Sequence, residues 1–427
     1  MRIMVIGGGG REHAIIKKLR QSPKVTEIFA LPGNGGIARD AVCVPIGAED
    51  LPSAVDFAVR NAIDLAVVGP DAPLVLGAAD ALEAAGIPCF GPDKRAAIIE
   101  GSKVFSKNLM RKYGIPTAAY AVFSDIAAAL AYLDDAPLPL VIKADGLALG
   151  KGVVIARTRE EASAAVHAIM ADRVFGDSGA NVVIEEFLEG PEVSVLAFTD
   201  GRTLVPMVSS MDHKRARDGD EGPNTGGMGT IAPNPHYTPE LAEVCMKRIF
   251  LPTVAAMNAE GRGFKGCLYF GLMLTDSGPR VIEYNCRFGD PEAQVVLPLL
   301  ESDLVDIMLA TRNGTLAEAE IKFASGAACC VIMASLGYPQ RFEKGFEISL
   351  PAALPERCAI YAAGVKRDEG GRLLTDGGRV LGLTACADTP AEAVDRAYEA
   401  LKRVRFENAF YRKDIGQKAL AALKKEA

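Results

Sequence analysis

Four short apolar runs near the start of the chain each break into glycine or proline at the carboxyl end: "RIMVIGGGG" (Arg2 to Gly10), "IFALPGNGG" (Ile28 to Gly36), "LAVVGPDAP" (Leu65 to Pro73) and "PCFGP" (Pro88 to Pro92). Alanine-rich amphipathic segments alternate with them, the pattern of a parallel sheet covered by helices. The strand ends carry a second constraint. In open α/β sheets ligands bind just beyond the carboxyl ends of the strands, which is where these glycines fall.

The glycines at 7 to 10 invite the dinucleotide fingerprint G-x-G-x-x-G, but reading from Gly7 puts Glu12 at the third glycine, and reading from Gly8 puts His13 there. The match fails. What remains is a glycine turn opening the helix "REHAIIKKLR", whose N-terminal amides and Arg11 suit a phosphate; a tight βα turn with a surface arginine is the alternative.

At 427 residues the chain is long enough for roughly two to four domains, and its 49% hydrophobic content supplies their cores. The net charge of −7 gives no global reason to expect nucleic acid or an acidic membrane, so an anionic substrate must be met by locally placed Lys and Arg. Nine cysteines without a C-x-x-C pair fit free thiols in a reducing cytosol. The apolar run Ile3 to Ile6 is too short for a signal segment and no stretch approaches a membrane span. A cytoplasmic protein with no membrane and no nucleic-acid partner is the expectation.

A helical stretch, "EGSKVFSKNLMRKYG", precedes "LPLVIKADGLALGKGVVIA" (Leu138 to Ala156), which reads as an antiparallel hairpin with a glycine-rich turn. The turn is not a Walker A loop: three residues rather than four separate Gly146 from Gly150, and Gly152 follows the lysine. A glycine-rich hairpin carrying Lys143 and Lys151 still suits a triphosphate, because amides and ammonium groups both neutralise phosphate oxygens. "ANVVIEEFLEGPEVSVLAFTDG" then reads as two strands joined at a glycine.

In "RVIEYNCRFGDPE" (Arg280 to Glu292) a strand period puts Glu283, Asn285 and Arg287 on one face. Mg²⁺ takes hard oxygen ligands and shares its shell with substrate phosphates, so Glu283 and Asn285 are candidate metal ligands and Arg287 a partner for a transferred phosphoryl group. An exposed polar strand face is the bland alternative.

"DHKRARDGDEGPNTGGMG" (Asp212 to Gly229) fits neither period and reads as a loop, functional or simply a solvated excursion. His13 and His213 sit in glycine- and charge-rich surroundings; His167 and His236 do not, and no pair has zinc-ligand spacing. Past residue 325, "CCVIMASLGYP" and "RLLTDGGRVLGLTACA" read as strands with a turn at Asp376 to Gly378. A capping box at Thr389-Pro390-Ala391-Glu392 starts a helix whose apolar face is Val394, Ala397, Leu401 and Val404. This end reads as a packing or substrate-covering domain.

Taken in order, "GGGGREHA", "PGNGG", "VVGPDAPLVLG", "EGSKVFSK", "VIKADGLALGKGV", "EEFLEGPEVS", "DHKRARDGDEGPNTGGMG" and "EYNCRFGDPEAQ" resemble the glycinamide ribonucleotide synthetase family of the ATP-grasp superfamily, across essentially the whole chain. The resemblance implies an α/β and α+β multidomain chain: a Rossmann-like parallel sheet over 1–102, an ATP-grasp fold over 103–312 with a mobile lobe at about 120–192, and a small α+β domain over 325–420. It implies a bacterial-type monofunctional ligase that joins glycine to 5-phosphoribosylamine at the expense of ATP, through glycyl phosphate, with Mg²⁺ or Mn²⁺. A monomer in transient contact with the upstream amidotransferase is the implied assembly.

By similarity, Lys103, Lys143, Gly146, Gly150, Lys151 and Gly152 would meet the ATP phosphates, Glu185, Glu186, Phe187 and Leu188 the adenine edge, Glu192 the ribose, and Glu283 and Asn285 the metal. Catalytic roles fall to Arg287, Asp290 and His213. Substrate contacts fall to Gly8, Gly9, Gly10, Arg11, Glu12, Asn34, Pro70, Asp71, Asp212, Lys214, Arg215, Asn224, Gly226, Gly227, Met228, Gly289, Pro291 and Glu292. Two positions depart from the family pattern: Met211 stands where an acid or amide is usual, and Asp71 where "GPE" has Glu. Rival readings are another ATP-grasp ligase, such as a biotin carboxylase, and a dinucleotide-dependent oxidoreductase, against which the failed fingerprint counts.

Overall fold

The structure is a computed structural model that describes residues 1–147 and 152–426. Strands β1 (Arg2–Gly7), β2 (Glu27–Pro32), β3 (Val42–Cys43), β4 (Leu65–Val68) and β5 (Cys89–Phe90) form a parallel sheet in the order β3-β2-β1-β4-β5. Alternation along β1 divides it between two cores, Met4 and Ile6 in one, Ile3 and Val5 in the other. The strand order reverses between β1 and β4, so the crevice of such a sheet opens beside Gly8 to Arg11 and Pro70-Asp71. Here β1 and β2 end very close together. A Cβ on Gly8 would lie 2.3 Å from the carbonyl oxygen of Gly33.

The expected single helix after β5 is two, Lys94–Gly101 and Lys103–Tyr113. Between them Ser102 is extended (φ −142, ψ 116) and caps the second by accepting from Phe105 N at 3.0 Å. Strands β6 (Tyr120–Phe123), β7 (Leu140–Ala144), β8 (Val153–Ala156) and β9 (Val182–Glu186) make an antiparallel sheet, β6-β9-β7-β8, in which β7 and β8 are the expected hairpin. It has its own core, with Leu133, Leu140, Ile142, Val166 and Ile184. That makes it a separate lobe.

The next strand, β10 (Glu192–Thr199), does not pair with β9. It joins β11 (Leu204–Pro206), β16 (Gly266–Thr275) and β17 (Gly278–Asn285) in the order β11-β10-β16-β17, so the glycine-marked connection crosses between sheets. Gly190 makes the crossing at φ +146, with Leu274 O 2.0 Å from where a Cβ would stand. Between β11 and β16 lie β12 (Met211–Asp212), β13 (Arg215–Arg217), β14 (Glu221–Asn224) and β15 (Gly229–Ala232).

The excursion from 212 to 229 is therefore not a loop. β13 and β14 form a hairpin, and β12 and β15 flank it as part of the C-terminal sheet, in the order β12-β15-β18-β22-β19. That sheet contains β18 (Ala327–Ser335), β19 (Cys358–Ala362) and β22 (Arg379–Ala387); β20 (Val365–Arg367) pairs β21 (Leu373–Thr375), and β23 (Ala409–Phe410) adds to β18. The strands within the excursion span only two to four residues, too few to express a period, and β15 pairs with residues about a hundred positions away. The helix Pro390–Leu401 starts as expected, with Thr389 Oγ1 accepting from Glu392 N at 3.3 Å. Among the described residues no helix is long and apolar enough to cross a membrane.

The Gly8 to Gly33 approach yields a test. Gly8→Ala must push the β1 turn off the end of β2, and we expect a loss of about 1–3 kcal/mol in urea unfolding, with the slope unchanged.

Candidate functional site

The row expected from β17 exists, and a residue outside it sets its geometry. Glu100, buried in the last turn of the helix Lys94–Gly101, accepts from Asn285 Nδ2 (2.8 Å), Arg287 Nη2 (2.8 Å) and Cys286 N (2.7 Å). With its nitrogen so engaged, Asn285 presents Oδ1 as its remaining polar atom. Burial pulls the Arg287 proton affinity down, but Glu100 and Asp71 outweigh it, so the guanidinium stays charged.

Cations gather around Glu283. Burial alone would raise its pKa, but Lys214, Lys143, Lys103 and Arg287 outweigh this and hold it below the ordinary carboxylate range. Lys214 Nζ lies 3.6 Å from Glu283 and 3.1 Å from Glu192, whose carboxylates hold it above the usual lysine range against the pull of burial. Lys103 donates to Gly146 O (2.7 Å), and its pKa is lowered by burial. Nearby, buried Glu185 serves two ammonium groups, Lys107 at 2.7 Å and Lys143 at 2.9 Å. Burial pushes Lys107 down to about 8. One carboxylate between two lysines leaves positive charge in a low-dielectric place, and a polyanion would relieve it. Glu186 faces the other way, to Arg280 (3.0 Å) and Ala119 N (2.9 Å). Gly146 and Gly152 lie at the ends of the hairpin turn; Gly150 and Lys151 fall outside the described residues.

The far side of the cleft is richer in carboxylates. Glu292 accepts from Tyr269 and Ser194 (3.2 Å each), and it adds to burial in raising the Asp212 pKa well above the ordinary value. Asp290 is held ionised against burial by Arg379 and Arg11. Arg379, from β22, pairs with Asp290 Oδ2 (3.0 Å) and donates to the carbonyls of Asp290 (2.9 Å) and Gly226 (2.5 Å). The backbone here is close-packed. A Cβ on Gly227, at φ +107, would stand 2.4 Å from Pro291 and 2.8 Å from Asp212; one on Gly10 would stand 2.7 Å from Gln294, which donates to Asp290 (2.7 Å). The glycine turn, Asp290-Pro291, Asp212 and Gly226-Gly227 thus meet in one place.

Several expected contacts prove structural. His213 is buried, with Nδ1 against Gly229 O (3.1 Å) and Nε2 accepting from Gly416 N (3.2 Å), so its ring has no nitrogen left for substrate. Asn34 spends both amide hydrogens on Gly8 O and Ala362 O (2.9 Å each) and its oxygen on Gly36 N and Ile37 N. Glu12 turns inward, accepting from Gly9 N and Arg11 Nε (2.6 Å each), and so places an anion where a phosphate was expected. Arg11 also reaches Phe288 O (3.2 Å). Met228 is core, and His13 bridges Asp40 (3.0 Å) and Ala362 N (2.7 Å).

Glu100, Lys107, Tyr269 and Arg379 were not singled out in the sequence. Glu100 and Lys107 lie in the "EGSKVFSK" stretch, where buried charges in a helix were the available signal. Nothing local marks Arg379. A two-donor metal fits the hard oxygens of Glu283 and Asn285; among the described residues no cluster of three or more His, Cys, Asp or Glu is placed to hold an ion unaided.

Comparison with known proteins agrees along the chain. Residues 1–100, 101–293 and 328–418 match the family models described as phosphoribosylglycinamide synthetase N domain, ATP-grasp (A) domain and C domain. The chain is 49% identical over 425 residues to a phosphoribosylamine–glycine ligase of Allochromatium vinosum, covering 99% of each, and 49% identical over 424 residues to one of Rhizobium meliloti, again covering 99% of each. A solved phosphoribosylamine–glycine ligase of Thermotoga maritima superposes with a TM-score of 0.86 at 35% identity, over 97% of this chain and all of that one. A biotin carboxylase of Campylobacter jejuni shares the fold, with a TM-score of 0.74 at 13% identity over 96% of this chain and 92% of its own.

The buried His213 gives a pH test. Burial first, then the Arg412 guanidinium, lower its pKa from 6.5 to about 4, so between those values the unfolded chain takes a proton that the folded chain refuses. Stability contributed here is full above pH 6.5 and is lost as pH falls towards 4, by up to roughly 3 kcal/mol. Urea midpoints at pH 7 and pH 4.5 should therefore converge more in His213→Gln than in the parent chain.

Proposed function

We propose, for a chain that belongs to the phosphoribosylglycinamide synthetase family, that the cleft between β17, the hairpin base at Lys214 and the glycine turn is where ATP, glycine and 5-phosphoribosylamine react. The enzyme is an ATP-grasp ligase of purine biosynthesis; it joins glycine to 5-phosphoribosylamine, giving glycinamide ribonucleotide, ADP and phosphate. The observation that carries the assignment of residues is the grouping of charge around the Glu283–Arg287 row: Lys214 lies 3.6 Å from Glu283 and Lys143 donates to Ile282 O (3.1 Å), while Glu292 lies beside Tyr269 and Ser194 (3.2 Å each) and Asp290 beside Arg379 (3.0 Å).

The lysine side suits the polyphosphate. Lys103, Lys143 and Lys214 would hold its oxygens, with Gly146 beside Lys103, and the strand end Glu185 to Leu188 and Glu192 would take adenosine. Glu283 and Asn285 Oδ1 would hold Mg²⁺ or Mn²⁺, which when bound offsets charge on the transferring phosphoryl group. The carboxylate side suits amines: Asp212, Asp290 and Glu292 face the glycine ammonium and the incoming phosphoribosylamine.

In the first step a glycine carboxylate oxygen bonds to the γ-phosphorus as the bond to the β-phosphate oxygen breaks, leaving ADP and glycyl phosphate. Arg287 is charged and fixed by Glu100, and so stabilises the transferring group without reorganising. In the second, the phosphoribosylamine nitrogen attacks the acyl carbon, phosphate leaves, and the nitrogen loses a proton. The nucleophile is already an amine, so the protein's share is positioning and the exclusion of water. A cytoplasmic monomer that meets the upstream amidotransferase transiently fits the lability of phosphoribosylamine.

Purified enzyme with ATP and Mg²⁺ should release ADP only when glycine and phosphoribosylamine are both present, with amide forming one for one; ADP release with glycine alone at the same rate would reject the assignment. Glu100→Gln should lower kcat by on the order of 100-fold through misplacement of Asn285 and Arg287, with the KM for ATP little changed. Steady-state assays that vary one substrate at a time read both values.

A further inference from the structure

Among the described residues, strands β13 and β14 pair only with each other. Their position depends on a segment far along the chain. Arg412, fully buried, donates from Nη1 to Arg215 O (3.0 Å) and pairs with Asp220 (2.8 Å), while Nε and Nη2 hold Asp414 (2.8 and 2.7 Å). Lys413 N donates to Asp218 (2.7 Å), Asp414 accepts from Gly219 N (2.9 Å), and Lys418 pairs with Asp220. At the hairpin's foot, Gly416 N donates to His213 (3.2 Å).

We propose that Arg412 is a positioning residue for the ligation: it touches no substrate, but it fixes the hairpin and with it Lys214 and the Thr225–Gly227 backbone. A buried guanidinium is tolerated only while its donors are met, and Arg215 and Asp220 meet two of its contacts only when the hairpin is seated. Displacing the hairpin leaves Nη1 buried without the partners it has there, Arg215 O and Asp220. Lys214 closes the base through Thr225 N (2.8 Å) and reaches Glu192 and Glu283, so a shift at the clasp moves the wall of the cleft. The outer face, Arg215, Pro223 and Asn224, bounds a cleft of about 560 Å³ whose opposite wall is Val153 to Ile155 on the separate lobe, so the same clasp sets what that lobe meets.

The inference rests on the ligase reading, and the test separates the two. Asp220→Asn, at the partly exposed hairpin tip, removes a charge partner without opening a cavity, and Asp220→Glu keeps the charge. In the full chain, Asp220→Asn is expected to raise the KM for ATP and the KM for glycine or phosphoribosylamine on the order of tenfold, because Lys214 and the Thr225–Gly227 backbone shift together, leave kcat within about threefold, and speed amide exchange over residues 213–225. Asp220→Glu should recover most of the loss, and the thermal midpoint should move little. The proposal is overturned if Asp220→Asn and Arg412→Lys leave every constant within about twofold, or if all constants and the thermal midpoint fall together as for simple unfolding. Should the parent enzyme itself fail to turn over, the ligase reading falls, and unchanged exchange over 213–225 in Asp220→Asn would then remove the clasp as well.

Discussion

The arrangement of the cleft depends on the carboxylate of Glu100. It ends a helix that belongs with the parallel sheet, yet its three acceptor contacts all go to Asn285, Cys286 and Arg287 at the end of β17. A buried carboxylate with fewer partners would be costly; fully met, it ties the helix to the end of β17 and fixes the side chains of Asn285 and Arg287. An arginine alone would be mobile and an asparagine alone could present either its oxygen or its nitrogen. Glu100 removes both freedoms, which is what preorganisation of a phosphoryl site requires.

Around that anchor the backbone is drawn together by glycine. Gly8 against Gly33, Gly10 against Gln294 and Gly227 against Pro291 are three places where a Cβ would occupy space already filled. The first closes the crevice end of the β1–β5 sheet, and the other two bring the glycine turn and the Gly226-Gly227 backbone against the 290–294 segment. His13 and Asn34 add hydrogen bonds to the C-terminal sheet, both to Ala362. Residues of the most distinctive motifs therefore hold the three units in register, and the reacting groups stand on the surfaces so fixed.

Much of this was legible in the sequence, for a physical reason. β1, β4, β7 and β17 are long enough, or end abruptly enough, for period and punctuation to show, so the parallel sheet, the hairpin of β7 and β8 and the Glu283 row could be read directly. The stretch from 212 to 229 could not. Its strands are short and β15, on which β12 adds, finds its other partner in distant β18, so composition reported only charge and glycine where the fold made edge strands and a hairpin. His213 misled for the same reason: a histidine among charges resembles a site residue until distant Gly416 is seen to occupy its ring. Arg379 and Arg412 carry no local signal, because the contacts that tie them to the hairpin, to Gly226 O and Arg215 O, span more than 150 residues.

The lysines proposed for the polyphosphate stand on different elements, which on that reading links binding to closure. Lys143 is on β7 of the separate lobe, Lys103 and Lys107 on the helix before it, and Lys214 at the base of the hairpin. Glu185, Glu192 and Glu283 are the protein's own anions beside these groups, and Glu185 and Glu283 are each outnumbered. A triphosphate placed among them completes the charge balance only if the lobe and the hairpin both stay near, so its binding energy acts on their separation as well as on its own affinity. On the proposed assignment, the interaction that recognises ATP would also draw the walls together around glycyl phosphate, which water would otherwise destroy.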